Sequence, residues 1–323
     1  MPPQHIRYLS QVMISFSSTK IRLGTRGSKL AMWQSTWVKS ELENRGHVVE
    51  LIQIRTQGDV KTGPLAQIGG QGLFTKQLQI ALHQNEIDLA VHSLKDLPTE
   101  DAQGLSIAAI PPRETTDDAI CCRDDHCFDS LDALPEKAIV GTGSVRRAAQ
   151  ILHLRPDLEI RDIRGNVDTR LEKLDSGEFD VIVLAAAGLM RLGLQDRISF
   201  RFDQTQLLPA VGQGALGLET RTDDAKIRSV VAELSHRESY SAALAERAML
   251  RRLFAGCLAP VGARCEIQDE KLKLTGVVLG RDGKMRIEAN DSAPFEDFEK
   301  LGISVAEKLI ADGADKLLAA ARS

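Results

Sequence analysis

A short pattern occurs twice in this chain, and no other feature restricts the architecture as tightly. Leu23-Gly24-Thr25-Arg26-Gly27-Ser28 precedes a helical stretch containing Ala31, and Val140-Gly141-Thr142-Gly143-Ser144 precedes one containing Ala148. Both read as a strand, a Gly-rich turn and a helix, with Ser28 as a cap of the first. Glu86-Ile87-Asp88 and Glu178-Phe179-Asp180 then lead, in the same order, into apolar strands. Chance supplies one such match; two in order favour a duplicated βα unit. In open parallel sheets ligands bind beyond the C-terminal strand ends, at the switch point. Two such units facing each other would turn both Gly-rich turns into one cleft.

Taken in order, residues 21–25 form a strand and Ser28 caps a helix whose apolar residues are Leu30, Trp33, Trp37, Val38 and Leu42, ending at Gly46. A β-rich run at 48–55, a Gly-rich loop at 63–72, a helix through Leu78 and Leu82, and strands at 87–91 and 105–110 follow. This order predicts a mostly parallel sheet with crossover helices. The polar, Pro-bearing segment 111–118 reads as a crossing, after which strands and helices alternate again to residue 184. Residues 207–219 read as a return to the first unit. Beyond the helices near 225–234 and 240–254, an alternating pattern at 263–289 with Arg281-Asp282-Gly283 as a turn predicts an antiparallel meander. Closing helices reach residue 321. The expected fold is α/β. Two doubly wound domains (20–113 with a return at about 212–235, and 114–211) precede a smaller C-terminal α+β domain (236–323), with residues 1–19 as a disordered extension.

Between Val140 and Arg170 the chain has six arginines (Arg146, Arg147, Arg155, Arg161, Arg164, Arg170) and no lysine, in a protein of net charge -4. Arginine is a planar fork that grips carboxylate or phosphate bidentately, so the choice suggests shaped anions; the alternative is a solvated helix face. The polar residues at strand-end loops are Thr25, Arg26 and Ser28; Lys95 and Asp96; Thr142, Ser144, Arg146 and Arg147; and Arg164, Arg170 and Arg191. Their convergence points to a large ligand with several carboxylates or phosphates. Asp96, beside Lys95, would stay ionised in a basic cleft, accept N–H groups and stabilise a cationic intermediate. A helix cap or surface ion pair is the plainer alternative. His92 reads as a hydrogen-bonded structural histidine. Cys257 follows Gly256 beyond a helix bearing Arg247, Arg251 and Arg252, cations that would favour a nucleophilic thiolate; otherwise it is a small buried hydrophobe. Cys265 reads as core.

Several classes are disfavoured. With no global basic field and only two Trp and two Tyr, a base-stacking nucleic-acid platform is not expected. No apolar run approaches the roughly 18 residues of a membrane span. Five cysteines without a secretory h-region indicate a reducing, cytoplasmic setting. The first 20 residues share a lack of acids with organelle transit peptides and little else. Cys121, Cys122 and Cys127 lack the paired spacing of structural zinc, so no metal is expected.

The motifs GTRGSKLAMWQ, GGQGLFTKQL, HSLKDLP, GTGSVRRAAQ, RGNVDTRL, LAAAGLMRLG, LPAVGQGALGLE, ERAMLRRL and AGCLAPVGA stand in the order found in the porphobilinogen deaminase (hydroxymethylbilane synthase) family, which the chain resembles from about Lys20 onward. The resemblance implies periplasmic-binding-protein-like first and second domains and a monomer. It also implies a dipyrromethane cofactor in thioether linkage to the residue matching Cys257. Four porphobilinogen units would be joined to that primer with loss of ammonia before hydrolysis releases hydroxymethylbilane. It implies Asp96 as the catalytic carboxylate, assisted by Lys95 and Arg26. Cofactor contacts would come from Ser28, Lys95, Asp96, Thr142, Ser144, Arg146, Arg147, Arg170 and Gln213. Substrate contacts would come from Arg26, Gln34, Gln67, Gln71, Arg164, Arg170 and Arg191. Every pyrrole brings two carboxylates, which suits a dense arginine lining.

Two departures stand out. Gln67 and Gln71 occupy positions where the family has lysines, which removes charge from that loop. Ala255 replaces the glycine before Gly-Cys and would be strained if the backbone there needs a positive φ. The rivals are a non-catalytic two-domain binder of a multi-carboxylate ligand, which needs no loop thiol, and a phosphate-ligand transferase, for which the G-x-x-x-x-G-K-[ST] pattern is missing.

Overall fold

The computed structural model describes residues 18–54, 75–123, 127–256 and 259–322. β1 (Lys20–Thr25), α1 (Lys29–Glu43), β2 (Val48–Gln53), α2 (Lys76–His83), β3 (Leu89–Ser93) and β4 (Leu105–Ala109) open the chain. Ser28 starts α1: its Oγ accepts the Ala31 amide at 3.3 Å. The buried stripe of α1 is Gln34, Ser35, Val38 and Leu42. Trp33, expected on that stripe, is instead 39% exposed, with the Arg191 guanidinium 5.7 Å from its ring.

The first sheet has the order β2-β1-β3-β10-β4, where β10 is Leu216–Arg221. β1 pairs parallel with β2 and β3, whereas β10 is antiparallel to both β3 and β4. Four strands thus run one way, and the returning strand runs against them in the sheet interior. The core beneath it unites Ile21, Leu23, Leu89 and Leu218 with Ile227 and Val231 of α6 (Ala225–Ala232).

The second sheet is built from β5 (Asp118–Cys122), β6 (Ile139–Gly141), β7 (Glu159–Arg161), β8 (Val181–Ala185) and β9 (Phe200–Arg201), in the order β7-β6-β8-β5-β9. It repeats the first: β6 lies parallel to β7 and β8, then an antiparallel strand, then an edge. Helices α3 (Val145–Leu154), α4 (Val167–Asp175) and α5 (Ala186–Arg191) accompany it. The sequence pattern did not anticipate β5, because its first residue, Asp118, belongs to the polar run read as a crossing. All five of its residues are buried. Strand alternation sends Cys121 and Cys122 into cores on opposite faces of the sheet, so one ion could not bind both.

The C-terminal part pairs α7 (Arg237–Arg252) and α8 (Phe298–Ala311) against a meander of β11 (Val261–Gln268), β12 (Lys271–Leu279) and β13 (Arg286–Ala293), with α9 (Ala314–Arg322) last. Met249, Leu274, Val305 and Leu309 are fully enclosed in its core, each contributing about 1.5–3 kcal/mol. The hairpin turn meets the end of α3 at Gly283, whose carbonyl lies 2.7 Å from His153 Nδ1. Gly283 has φ +74, and a Cβ there would stand 2.6 Å from the His153 backbone nitrogen, so only glycine fits.

α7 also reaches the two chain crossings between the lobes. Glu246, 1% exposed, accepts from Arg113 Nη1 at 2.8 Å and Nη2 at 2.9 Å, from the Gly212 amide at 2.8 Å and from the Cys265 amide at 3.2 Å. The crossings touch where the Glu114 amide donates to Gly214 O at 3.3 Å. Among the described residues no helix is long and apolar enough to cross a membrane.

Candidate active site

Between the two sheets lies a cleft of about 480 Å³. The turn after β1 supplies Arg26 and Ser28, α1 supplies Gln34, and the single 3-10 turn that leaves β3 supplies Lys95 and Asp96. The second lobe supplies Arg147 from α3, Asp168 and Arg170 from α4, and Arg191 from α5; Gly212 and Gly214 of the return crossing form the back. Both sheets point their C-terminal strand ends inward, as the duplicated turns predict.

Lining this cleft are six cations, Arg26, Lys29, Lys95, Arg147, Arg170 and Arg191, against two carboxylates, Asp96 and Asp168. Burial, with the Arg147 cation adding to it, pushes the Lys95 ammonium down to about 8. Burial, then Arg147 and Arg164, bring Arg170 down to about 10. Burial also lowers Arg191, which donates to Gly214 O at 2.7 Å. Arg170 is directed by a 2.8 Å bond from its Nε to Gly165 O. Lys29 bridges the lobes through Asp168, at 2.9 Å. Such crowding of like charge is relieved by a ligand that brings several anionic groups.

The expected arginine wall is thinner than the sequence suggests. Of the six arginines between Val140 and Arg170, only Arg147 and Arg170 line the cleft. Arg155 is bound to Asp157 and to the Leu131 and Leu134 carbonyls, Arg161 to Glu159 and Arg164 to Asp162. Arg146 is buried on the inner face of α3 and donates to Leu208 O at 2.6 Å. Thr142, Ser144 and Gln213 also stand behind the lining. The Thr142 hydroxyl accepts the Ser144 amide, and Ser144 Oγ caps α3 through the Arg147 amide. Gln213, fully buried, receives Lys95 Nζ on its Oε1 at 3.4 Å.

His92 is 3.0 Å from Glu219, itself held by Gln79, in accord with a structural histidine. The cations expected to favour a Cys257 thiolate each have partners among the described residues. Arg247, 1% exposed, donates to Leu97 O at 3.1 Å and Pro98 O at 2.7 Å; Arg251 donates to Thr99 O, and Arg252 to Glu307. Arg247 and Arg251 tie α7 to the segment that follows Asp96, and Arg252 ties it to α8. Gln67, Gln71 and Cys257 lie outside the described residues. Ala255 does not have a positive φ; that conformation falls on Phe254, at +49. Among the described residues no group of three or more His, Cys, Asp or Glu could hold a metal ion.

Lys29 and Asp168, the pair that bridges the lobes, escaped sequence reasoning, as did Ser93 and Asp118. Ser93 lines the cleft and accepts Gln34 Nε2 at 2.9 Å. Asp118 is buried behind the cleft with Arg147 Nη2 at 2.7 Å and Arg146 Nη1 at 2.7 Å. Its signal was an acid at the head of an apolar run in a chain with two adjacent arginines needing a counter-charge.

Residues 21–229 match the family profile described as "Porphobilinogen deaminase, dipyromethane cofactor binding domain", and residues 240–311 that described as "Porphobilinogen deaminase, C-terminal domain". A relative from Geobacter metallireducens named porphobilinogen deaminase is 47% identical over 303 residues, covering 93% of this chain and 94% of its own. Another of the same name, from Geobacter sulfurreducens, is 46% identical over 303 residues with coverage of 93% and 94%. Among solved structures, the methionine-binding protein MetQ aligns with a TM-score of 0.43 at 14% identity, over 71% of this chain and 93% of that one. The periplasmic VFT2 domain of Bordetella pertussis BvgS gives 0.43 at 16% identity, over 71% and 90%.

Proposed function

This chain belongs to the porphobilinogen deaminase family, and from that premise we propose that it acts as a hydroxymethylbilane synthase, a transferase of tetrapyrrole and heme biosynthesis. It joins four porphobilinogen units head to tail on a dipyrromethane primer held by Cys257, releases ammonia at each addition, and hydrolyses off hydroxymethylbilane. The observation that carries this reading is the excess of cations in the cleft, with Lys95 and Arg170 both lowered by burial and by neighbouring positive charge. A primer and chain bearing two carboxylates per ring fit that lining, because each carboxylate relieves the crowding.

The dipyrromethane supplies the nucleophilic pyrrole carbon on which the chain is extended. Arg147, Arg170 and Arg191 hold side-chain carboxylates, and their backbone anchors at Gly165 O and Gly214 O fix the direction of two of them. Ser28 and Gln34 add neutral donors from the first lobe. Asp96, at the tip of the turn after β3, accepts pyrrole N–H groups and stabilises the positive charge that develops on the substrate as ammonia leaves. Lys95, with its pKa near 8, keeps a proton at neutral pH that it can share with a departing amine or an arriving carboxylate. Arg26 faces the same space. Thr142, Ser144, Arg146 and Gln213 serve ligand binding by holding Arg147 and Lys95 in place.

Intact mass of the protein purified without added ligand tests this. The expected result is an adduct of two pyrrole units that vanishes in Cys257→Ser. A folded, unmodified and inactive protein would refute the assignment.

A further inference from the structure

Behind the second lobe's wall, Asp118 gathers more charge than any pairing role requires. Its Oδ1 accepts Arg147 Nε at 2.9 Å, Arg147 Nη2 at 2.7 Å and Gln213 Nε2 at 2.9 Å. Arg146 Nη1 stands 2.7 Å from the other oxygen, an ion contact without hydrogen-bond alignment. The Asp118 side chain is fully enclosed, at 0% exposure. A third Arg147 nitrogen donates to Val183 O at 2.9 Å, so this guanidinium is fixed in its plane and direction before any ligand arrives. Gln213 uses one end for Asp118 and the other for Lys95. One carboxylate therefore connects a cation of the second lobe's wall to the catalytic turn of the first.

We infer that Asp118 is a positioning residue for the reaction proposed above: it aims Arg147 into the cleft and, through Gln213, sets the place and charge of Lys95. The groups facing Lys95 are Asp96 on its own turn, Arg146 and Arg147 on α3, Asp118 on β5, and neutral Gln213 on the return crossing. Burial alone would raise the Asp118 carboxyl, but Arg146 and Arg147 hold it far below the ordinary range, so it is an anion throughout the working pH range. As an anion it favours the protonated form of Lys95, whereas Arg147 and Arg146 oppose it.

The test uses the full-length protein and trace acetylation of the Lys95 amine by acetic anhydride against pH, read by peptide mass. This measurement needs no turnover, so it reports on Asp118 even if the proposed activity is missing from wild type. Wild type should show a Lys95 midpoint of about 8. Asp118→Asn should lower it by roughly half to one pH unit and raise the porphobilinogen KM by roughly tenfold. The charge-balanced variant Asp118→Asn/Arg146→Met removes a buried anion and cation together, which preserves folding where the single change does not. In it the Lys95 midpoint should stay near the wild-type value while Arg147, lacking its anchor, still leaves KM raised. A folded Asp118→Asn protein with the wild-type Lys95 midpoint would overturn the inference. So would a double variant with wild-type KM.

Discussion

Glu246→Gln is the perturbation whose cost follows most directly from the geometry. The carboxylate accepts two bonds from Arg113 and one each from the Gly212 and Cys265 amides, at 2.8–3.2 Å, inside a 1% exposed site. Glutamine keeps the shape but turns one acceptor into a donor facing these donors, and it leaves the Arg113 cation buried without a counter-charge. Removing one member of such a pair costs about 3–5 kcal/mol, or on the order of 5–15 °C in Tm for a chain of this size. Because Arg113 Nε also holds Gln213 O at 2.8 Å, the loss should be felt first at the return crossing. Thermal unfolding gives the total, and amide exchange of Gly212 and Cys265 gives the location. A variant that melts within about 1 °C of wild type, with both amides equally protected, would refute a Glu246 clamp on the crossings.

Further expectations can be checked alongside it. Lys95 is lowered from its unfolded value, so the folded state gives up this proton first, and stability should rise as pH climbs from about 8 toward 10.5; that rise should be missing in Lys95→Met. If protonated Lys95 is needed, kcat/KM should fall above pH 8 in wild type, and Lys95→Arg should carry the plateau to higher pH. Asp96→Asn should retain the mass adduct and lose turnover; full activity would remove Asp96 from the mechanism. Gly283→Ala should cost roughly 1–3 kcal/mol, from the positive φ and the clash with the end of α3, measured by urea unfolding.

Local signals carried the fold well where burial and turn chemistry agreed. Ser28 caps its helix as read, Ser144 does the same at the repeated turn, and the return crossing enters the first sheet. Reasoning failed where a residue's partner lies far along the chain. Arg146 and Arg147 look like two equivalent anion ligands until Asp118, 28 and 29 positions earlier, is seen to pair with both and leave only Arg147 on the cleft. Trp33 keeps helical spacing with the apolar stripe of α1, but the neighbouring lobe brings Arg191 to its ring. The positive φ suspected at Ala255 sits at Phe254, a one-residue offset that composition cannot register. Periodicity reports which face of an element is dry; it does not report which charge waits on the other side.

The place of β10 in the first sheet has a consequence for how the chain is made. Synthesis runs from the N-terminus, and every strand of the second sheet, from β5 to β9, leaves the ribosome before residue 216. The first sheet must wait, with β3 and β4 lacking the strand that joins them. The second lobe can therefore close while the first still has an open seam, reversing the usual N-to-C order of domain completion. Chains stalled before Arg221 would expose the edges of β3 and β4, a ready template for pairing between nascent chains.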